Sequence, residues 1–243
     1  MGGFELVKRA FGSVLNNLDS ALAISGLLWI GLIALQIIVG PIDPEKFMTM
    51  TATPDEVFGA FTTAISMAVV SLWVAVAWHR FVLLGEAPRT VVPAFRVKPI
   101  LAYLGWSILI VFVLSLVFSV ALAVLSPFYA MLSQVVAVSV WQLALSVVLS
   151  YAFFRVSPVL PAVAVGNSAS LRLAWKRTKP LASDIWGVAV VFTLISVIIP
   201  LPAILLGTGL IGVIYTLVSG WVMLMVGVSL LTTIYHETEG AEL

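Results

Sequence analysis

The stretch Ile100-LAYLGWSILIVFVLSLVFSVALAV-Leu125 contains no charged residue. It is longer than the roughly 20 apolar residues that a helix needs to cross a bilayer. Arg96, Lys98 and Pro99 stand just before it, so its start is marked by positive charge. Outward from this stretch the pattern recurs. Apolar runs near 20–40, 57–80, 100–125, 130–155, 184–206 and 210–235 predict six transmembrane helices. The expected fold is therefore all-α and polytopic, with residues 1–243 forming a single integral membrane domain.

Composition agrees. Hydrophobic residues make up 62% and charged residues 9% of the 243, where a soluble domain carries about 25% charged residues. So few charges cannot solvate a water-exposed surface. The net charge of +1 points to no nucleic-acid partner. Without cysteine there are no disulfides, thiolate metal sites or cysteine nucleophiles. The first apolar run, Ser20 to Gly40, is too long for a signal-peptide core, and Leu6 breaks the myristoylation pattern at Gly2.

The basic residues sort by side. Lys8 and Arg9 form one cluster, Arg80, Arg89, Arg96 and Lys98 a second, and Arg155, Arg172, Lys176, Arg177 and Lys179 a third, with Lys46 alone elsewhere. Successive clusters are separated by enough apolar sequence for two spans. Lys and Arg are retained on the cytoplasmic side, so both termini are expected in the cytoplasm.

Three basic segments are candidates for cytoplasmic interfacial amphipathic helices. In the first, Phe4, Val7, Phe11, Leu15 and Leu18 recur at spacings of three and four. The second, around Val91 to Lys98, is interrupted by Pro93. In the third, Leu171, Trp175 and Thr178 share one face and Arg172, Lys176 and Lys179 another. Each can equally be a loop helix packed on its own bundle, and the two arrangements are compatible.

A period near 80 is also visible. Ala10-Phe11, Ala94-Phe95 and Ala174-Trp175 each precede a span, and Lys98-Pro99 matches Lys179-Pro180. Arg80, Arg155 and Tyr235-His236 close the second span of each unit. This predicts three pseudo-repeated helix pairs, in units 1–82, 83–165 and 166–243, all with the same orientation. The second span of each unit carries small residues at helical spacing: Ala64, Ala68, Ser71 and Ala75; Ser139, Ser146 and Ser150; Gly212, Thr216, Gly220 and Gly227. Small residues let helices approach closely in lipid, so these three helices are expected at the centre of the bundle. A polar pore lining is the alternative.

Chemistry inside the spans is sparse. Asp19 and Asp184 are placed to cap the first and fifth helices. Gln36, Gln134 and Gln142 are the strongest polar groups within spans, and His79 and His236 lie at helix ends without a carboxylate or cysteine cluster. No HExxH, GxSxG or Walker-type loop is present. Neither an enzyme nor a metal or other cofactor is expected. The apolar segment from Val156 to Gly166, with Pro158 and Pro161, is either a re-entrant piece or a linker beneath the third interfacial helix, and Pro200 and Pro202 end or kink the fifth helix.

The basic clusters remain as functional candidates. Arg80 and Arg155, with Arg172, Lys176 and Lys179, are candidate contacts for anionic lipid headgroups, because an arginine fork grips phosphate bidentately. The alternative is that they only fix topology. Three function classes follow. The first is a non-enzymatic membrane protein that contacts anionic phospholipid. The others are an accessory subunit of a larger membrane complex and a channel or transporter for small neutral solutes.

The runs Ala77-WHRFVLLG-Glu86, Arg155-VSPVL-Pro161 and Ser170-LRLA-Trp175 carry a resemblance. They resemble a broad group of bacterial six-span membrane proteins, similar to the membrane domain appended to some glycerophosphodiester phosphodiesterases. The resemblance implies a bacterial cytoplasmic membrane location and a link to phospholipid or membrane homeostasis. The phosphodiesterase domain itself has no counterpart in this chain, so its activity is not implied.

Overall fold

In the computed structural model, residues 2–40, 44–88, 90, 92–131, 135–207 and 209–239 are described, without the side chains of 44, 45, 125–131, 135–139 and 210. They form helices and no strand. The order is α1 (Gly3–Leu15), α2 (Leu18–Val39), α3 (Pro44–Met48), α4 (Pro54–Leu84), α5 (Val97–Met131), α6 (Val135–Val156), α7 (Val159–Val165), α8 (Leu171–Arg177), a 3-10 turn (Lys179–Leu181), α9 (Ala182–Ile198), α10 (Leu201–Leu206) and α11 (Leu210–Glu239). Six helical stretches among these residues are long and apolar enough to cross a membrane. The chain is a multi-pass helical bundle.

Local sequence sets the ends of these helices. Thr53 and Glu56 form a reciprocal capping box at the start of α4, with Pro54 in its first turn. Gly85 closes the helix in the left-handed conformation, φ 68°, which costs glycine little. Asp19 and Asp184 lie inside the first turns of α2 and α9, behind Asn17 and Leu181 at the cap positions, so they act on the helix dipole instead of capping. The third span is expected to end near 125, but α5 continues past Pro127 to Met131. Proline is tolerated within membrane helices, where neighbours satisfy the freed carbonyl. The fifth span does break at Pro200, between α9 and α10.

The centre of the bundle differs from the expected trio of α4, α6 and α11. α4 and α11 do pack on each other, but α6 packs mainly on α9, and also on α5 and α8. The third central place belongs to α7, which contacts α4, α5 and α11. Val159 to Ala164 are all buried. Within the segment 156–166, Val159–Val165 is thus a short helix packed in the core, where the sequence offered a re-entrant piece or a linker. Pro158 and Pro161 are compatible with it, because the first turn of a helix has no internal partner for its N–H groups.

α1 packs on the bundle by one face. Leu6, Val7, Ala10 and Val14 are buried against α9 and α11, while Phe4, at 69% exposure, and Leu15 face outward. The helix is apolar on two sides, and of the face read from spacing Val7 packs on the bundle while Phe4 and Leu15 stay open. Its crossing with α9 depends on two glycines. A Cβ on Gly3 would stand 2.6 Å from the backbone of Gly187. Of the small residues expected to pack, Ala75 is buried, Ser150 meets Thr193 of α9 at 3.1 Å, Gly220 receives the Trp29 ring, Gly212 abuts Gly207 and Gly227 faces Phe192. Ser71 is half-buried. Ala64, Ala68 and Ser146 are exposed, and the Ser139 side chain lies outside the described residues. Before α5, residues 93–96 are non-helical, so the second interfacial segment is a loop.

Candidate functional site

The carboxyl ends of α4, α6 and α11 meet α1, α7 and α8 at one end of the bundle, the basic end. Two arginine sites stand there, and they are built differently.

Arg155, near the end of α6, is 4% exposed. Its Nε donates to Thr178 Oγ1 at 2.9 Å, Nη1 to the Tyr151 hydroxyl at 2.6 Å and Nη2 to the Trp175 carbonyl at 2.8 Å. The guanidinium lies over the Trp175 ring, 4.3 Å from its centroid. The single hydroxyl hydrogen of Thr178 is in turn shared between the Arg155 and Ala174 carbonyls. No carboxylate pairs with Arg155 among the described residues. The side chain thus ties the end of α8 to α6, a role that a surface headgroup contact does not fill. What it presents is α8 itself. Ala174 is buried, while Arg172, Leu173, Trp175 and Lys176 are exposed, as is Lys179 just beyond. Ser170 caps the helix by accepting from Leu173 N–H.

Arg80, at the end of α4, has a side chain only 13% exposed. It pairs through Nε and Nη2 with both oxygens of Glu86, a bidentate fork, and Nη1 donates to the Ala164 carbonyl of α7 at 2.9 Å. Arg96 donates to the same carboxylate at 2.9 Å. Hydrogen bonding from Arg80 holds the Glu86 carboxyl below the usual carboxylate range; partial burial opposes this and Arg96 adds to it. The loop carrying Glu86 returns over α4, tied by Trp73 Nε1 donating to the Pro93 carbonyl at 3.2 Å and by edge-on contact of Trp73 with Phe95. A cleft of about 650 Å³ lies between this loop, α4 and α2. Arg80 and Arg96 line it; Arg155, Arg172, Lys176 and Lys179 do not. The five expected headgroup residues thus form two sites, not one.

α4 also carries buried polar contacts whose partners the sequence did not show. His79 is fully buried. Thr232 donates its hydroxyl hydrogen to the Val228 carbonyl, so it accepts from His79 Nδ1–H at 2.8 Å, and His79 Nε2 accepts from the Tyr103 hydroxyl at 3.3 Å. Trp78 Nε1 donates to Ser229 at 2.8 Å. These pairs join α4 to α5 and α11. His79 therefore serves packing. His236 is exposed within α11, which is no loose tail, since Arg9 of α1 pairs with Glu237 at 3.0 Å.

At the opposite end a cavity of about 530 Å³ is lined in part by Gln36, Thr63 and Thr216, with no charged residue among its described lining. The Thr63 hydroxyl has no hydrogen-bond partner there. Gln142 is exposed on α6, and Gln134 lies outside the described residues. Lys46, the isolated basic residue, is ion-paired with Glu56 at this end.

The fold and its charge distribution define a multi-pass membrane protein with a packed basic end. No protein-family model, curated protein or solved structure matches the chain.

Proposed function

We propose that this is a non-enzymatic protein of the bacterial cytoplasmic membrane that contacts anionic phospholipid at its basic end. On this reading the basic end and both termini face the cytoplasm, as the concentration of Lys and Arg supports. The role implied is in membrane or lipid homeostasis, in keeping with the resemblance to the membrane domain of some glycerophosphodiester phosphodiesterases. The chain is read as three related helix pairs in parallel, with α1 and α8 at the headgroup level.

One observation carries the proposal. The docking of α8 by buried Arg155 leaves Arg172, Lys176 and Lys179 exposed beside Leu173 and Trp175. Basic side chains next to exposed apolar and aromatic ones suit the interface, where each cation attracts anionic headgroups by roughly 1 kcal/mol.

The test is reconstitution of the full chain in bilayers of mixed phosphatidylglycerol and phosphatidylcholine, with spin-labelled lipid reporting which headgroup gathers at the protein. Phosphatidylglycerol is expected to be enriched, and replacing Arg172, Lys176 and Lys179 together by Gln is expected to remove most of the enrichment. Equal enrichment in the variant would overturn the reading.

A further inference from the structure

The cleft at Arg80 has the parts of a phosphate site, and one of its own carboxylates fills it. Two guanidinium groups, Arg80 and Arg96, face one carboxylate, Glu86, so the described lining carries a net positive charge. Arg80 presents a two-pronged fork to Glu86, the same geometry with which arginine takes two phosphate oxygens. Arg96 is half exposed and reaches Glu86 through Nη2 alone, so its Nε and Nη1 donors are not spent on that carboxylate. The far wall is apolar, formed by Ile24, Val76 and Ala77. A site that pairs two guanidiniums with an apolar wall matches a molecule having a phosphate at one end and hydrocarbon next to it.

The loop geometry shows how exchange is possible. Glu86 follows the left-handed Gly85, beyond the last turn of α4, whereas Arg80 lies in the helix and is anchored to Ala164 of α7. The guanidinium is fixed and the carboxylate sits on a turn. Displacement of Glu86 therefore moves the loop and leaves the bundle in place.

We propose that this cleft binds the phosphate of an anionic amphiphile, and that Glu86 is a built-in counter-ion which the phosphate must displace. The proposal rests on the lipid reading above but concerns a site apart from α8. Glu86 sets a threshold: a ligand must offer Arg80 and Arg96 more than a carboxylate already in place. A zwitterionic choline lipid, whose phosphate is neutralised by its own cation, falls below it.

The experiment uses the full chain in phosphatidylcholine nanodiscs, titrated with short-chain phosphatidic acid, alone and in competition with inorganic phosphate. Glu86→Gln is expected to tighten phosphatidic acid binding about tenfold, since it removes a competing charge-assisted pair. Arg96→Gln keeps the Arg80–Glu86 pair, and so the fold, and is expected to weaken binding about tenfold. Replacement of the α8 cations should remove only the additional lipid gathered at α8 and leave the responses to Glu86→Gln and Arg96→Gln in place. Competition by inorganic phosphate at equal concentration supports the phosphate site while assigning its ligand to a free anion; failure to compete assigns it to a lipid. Unchanged or weaker binding in Glu86→Gln together with unchanged binding in Arg96→Gln, in variants that stay monodisperse, would overturn the proposal. Loss of binding only on altering α8 would overturn it too, while leaving the α8 reading intact.

Discussion

The two ends of the bundle are built on different terms. At the basic end Leu6, Trp78, His79, Ile185, Leu230 and Ile234 are almost wholly enclosed. At the other end Ile37, Phe58, Ile204, Leu205 and Ile211 stand open, Leu205 at 89% exposure. His79 apart, both sets are apolar, so hydrophobicity does not distinguish them. In lipid it gives helices no reason to associate, and close packing and interhelical hydrogen bonds do that instead. The basic end has both, in the Gly3–Gly187 crossing and the His79, Trp78 and Arg155 contacts. The open end has helices that lipid can solvate and a cavity holding an unpartnered Thr63 hydroxyl.

The sharpest way to break this contrast is to cut the same kind of atom from each end. Trp78→Ala is expected to cost about 3 kcal/mol, the low end for a buried aromatic, because lipid and not water is the alternative surrounding. Leu205→Ala should change stability by less than about 0.5 kcal/mol. Unfolding in mixed micelles measures both, and equal losses would erase the distinction.

Glycines sharpen it next. Gly187→Ala places a Cβ 3.0 Å from Gly3, whereas a Cβ on Gly31 meets nothing within 4 Å. The first is expected to cost about 1–3 kcal/mol by overpacking and the second nothing measurable. Thermal unfolding of the two variants side by side is the check.

Thr232→Val removes the acceptor for His79 Nδ1–H inside the packed end. A loss of about 1–2 kcal/mol is expected. The same exchange at Thr63, whose hydroxyl has no partner, should be neutral or slightly stabilising.

The smallest effect is that of pH on the Arg80 cleft. The folded carboxyl of Glu86 is lowered from its ordinary value of 4.5. Such a group contributes stability that is fully present above its unfolded value and fades as pH falls through the folded one. Protease sensitivity of the loop after Gly85 should therefore rise only below about pH 4.5, and Glu86→Gln should abolish that rise.

The spans were legible because lipid imposes one requirement, about 20 apolar residues, that no tertiary contact relaxes. What remained hidden was every feature decided by distant residues. Arg155 looks in sequence like any topology-fixing arginine, and only the fold brings Thr178 and Trp175 around it. Two prolines make 156–166 look like an interruption, although Pro158 caps α7 and Pro161 fits its first turn. The partners of His79 lie 24 and 153 residues away. The Arg80–Glu86 pair was closer to hand at six residues, but it forms only because Gly85 turns the chain back. Small-residue spacing found Ala75 and Gly220 and misassigned α6, since spacing says that a helix can be approached closely and not by which neighbour.

Native mass spectrometry of the full chain, released gently from its own membrane, tests the central claim most directly. The account predicts retained phospholipid with anionic headgroups, and loss of most of it when Arg172, Lys176 and Lys179 are replaced by Gln. Retention indifferent to headgroup, or a fixed mass of partner subunits in place of lipid, would contradict it.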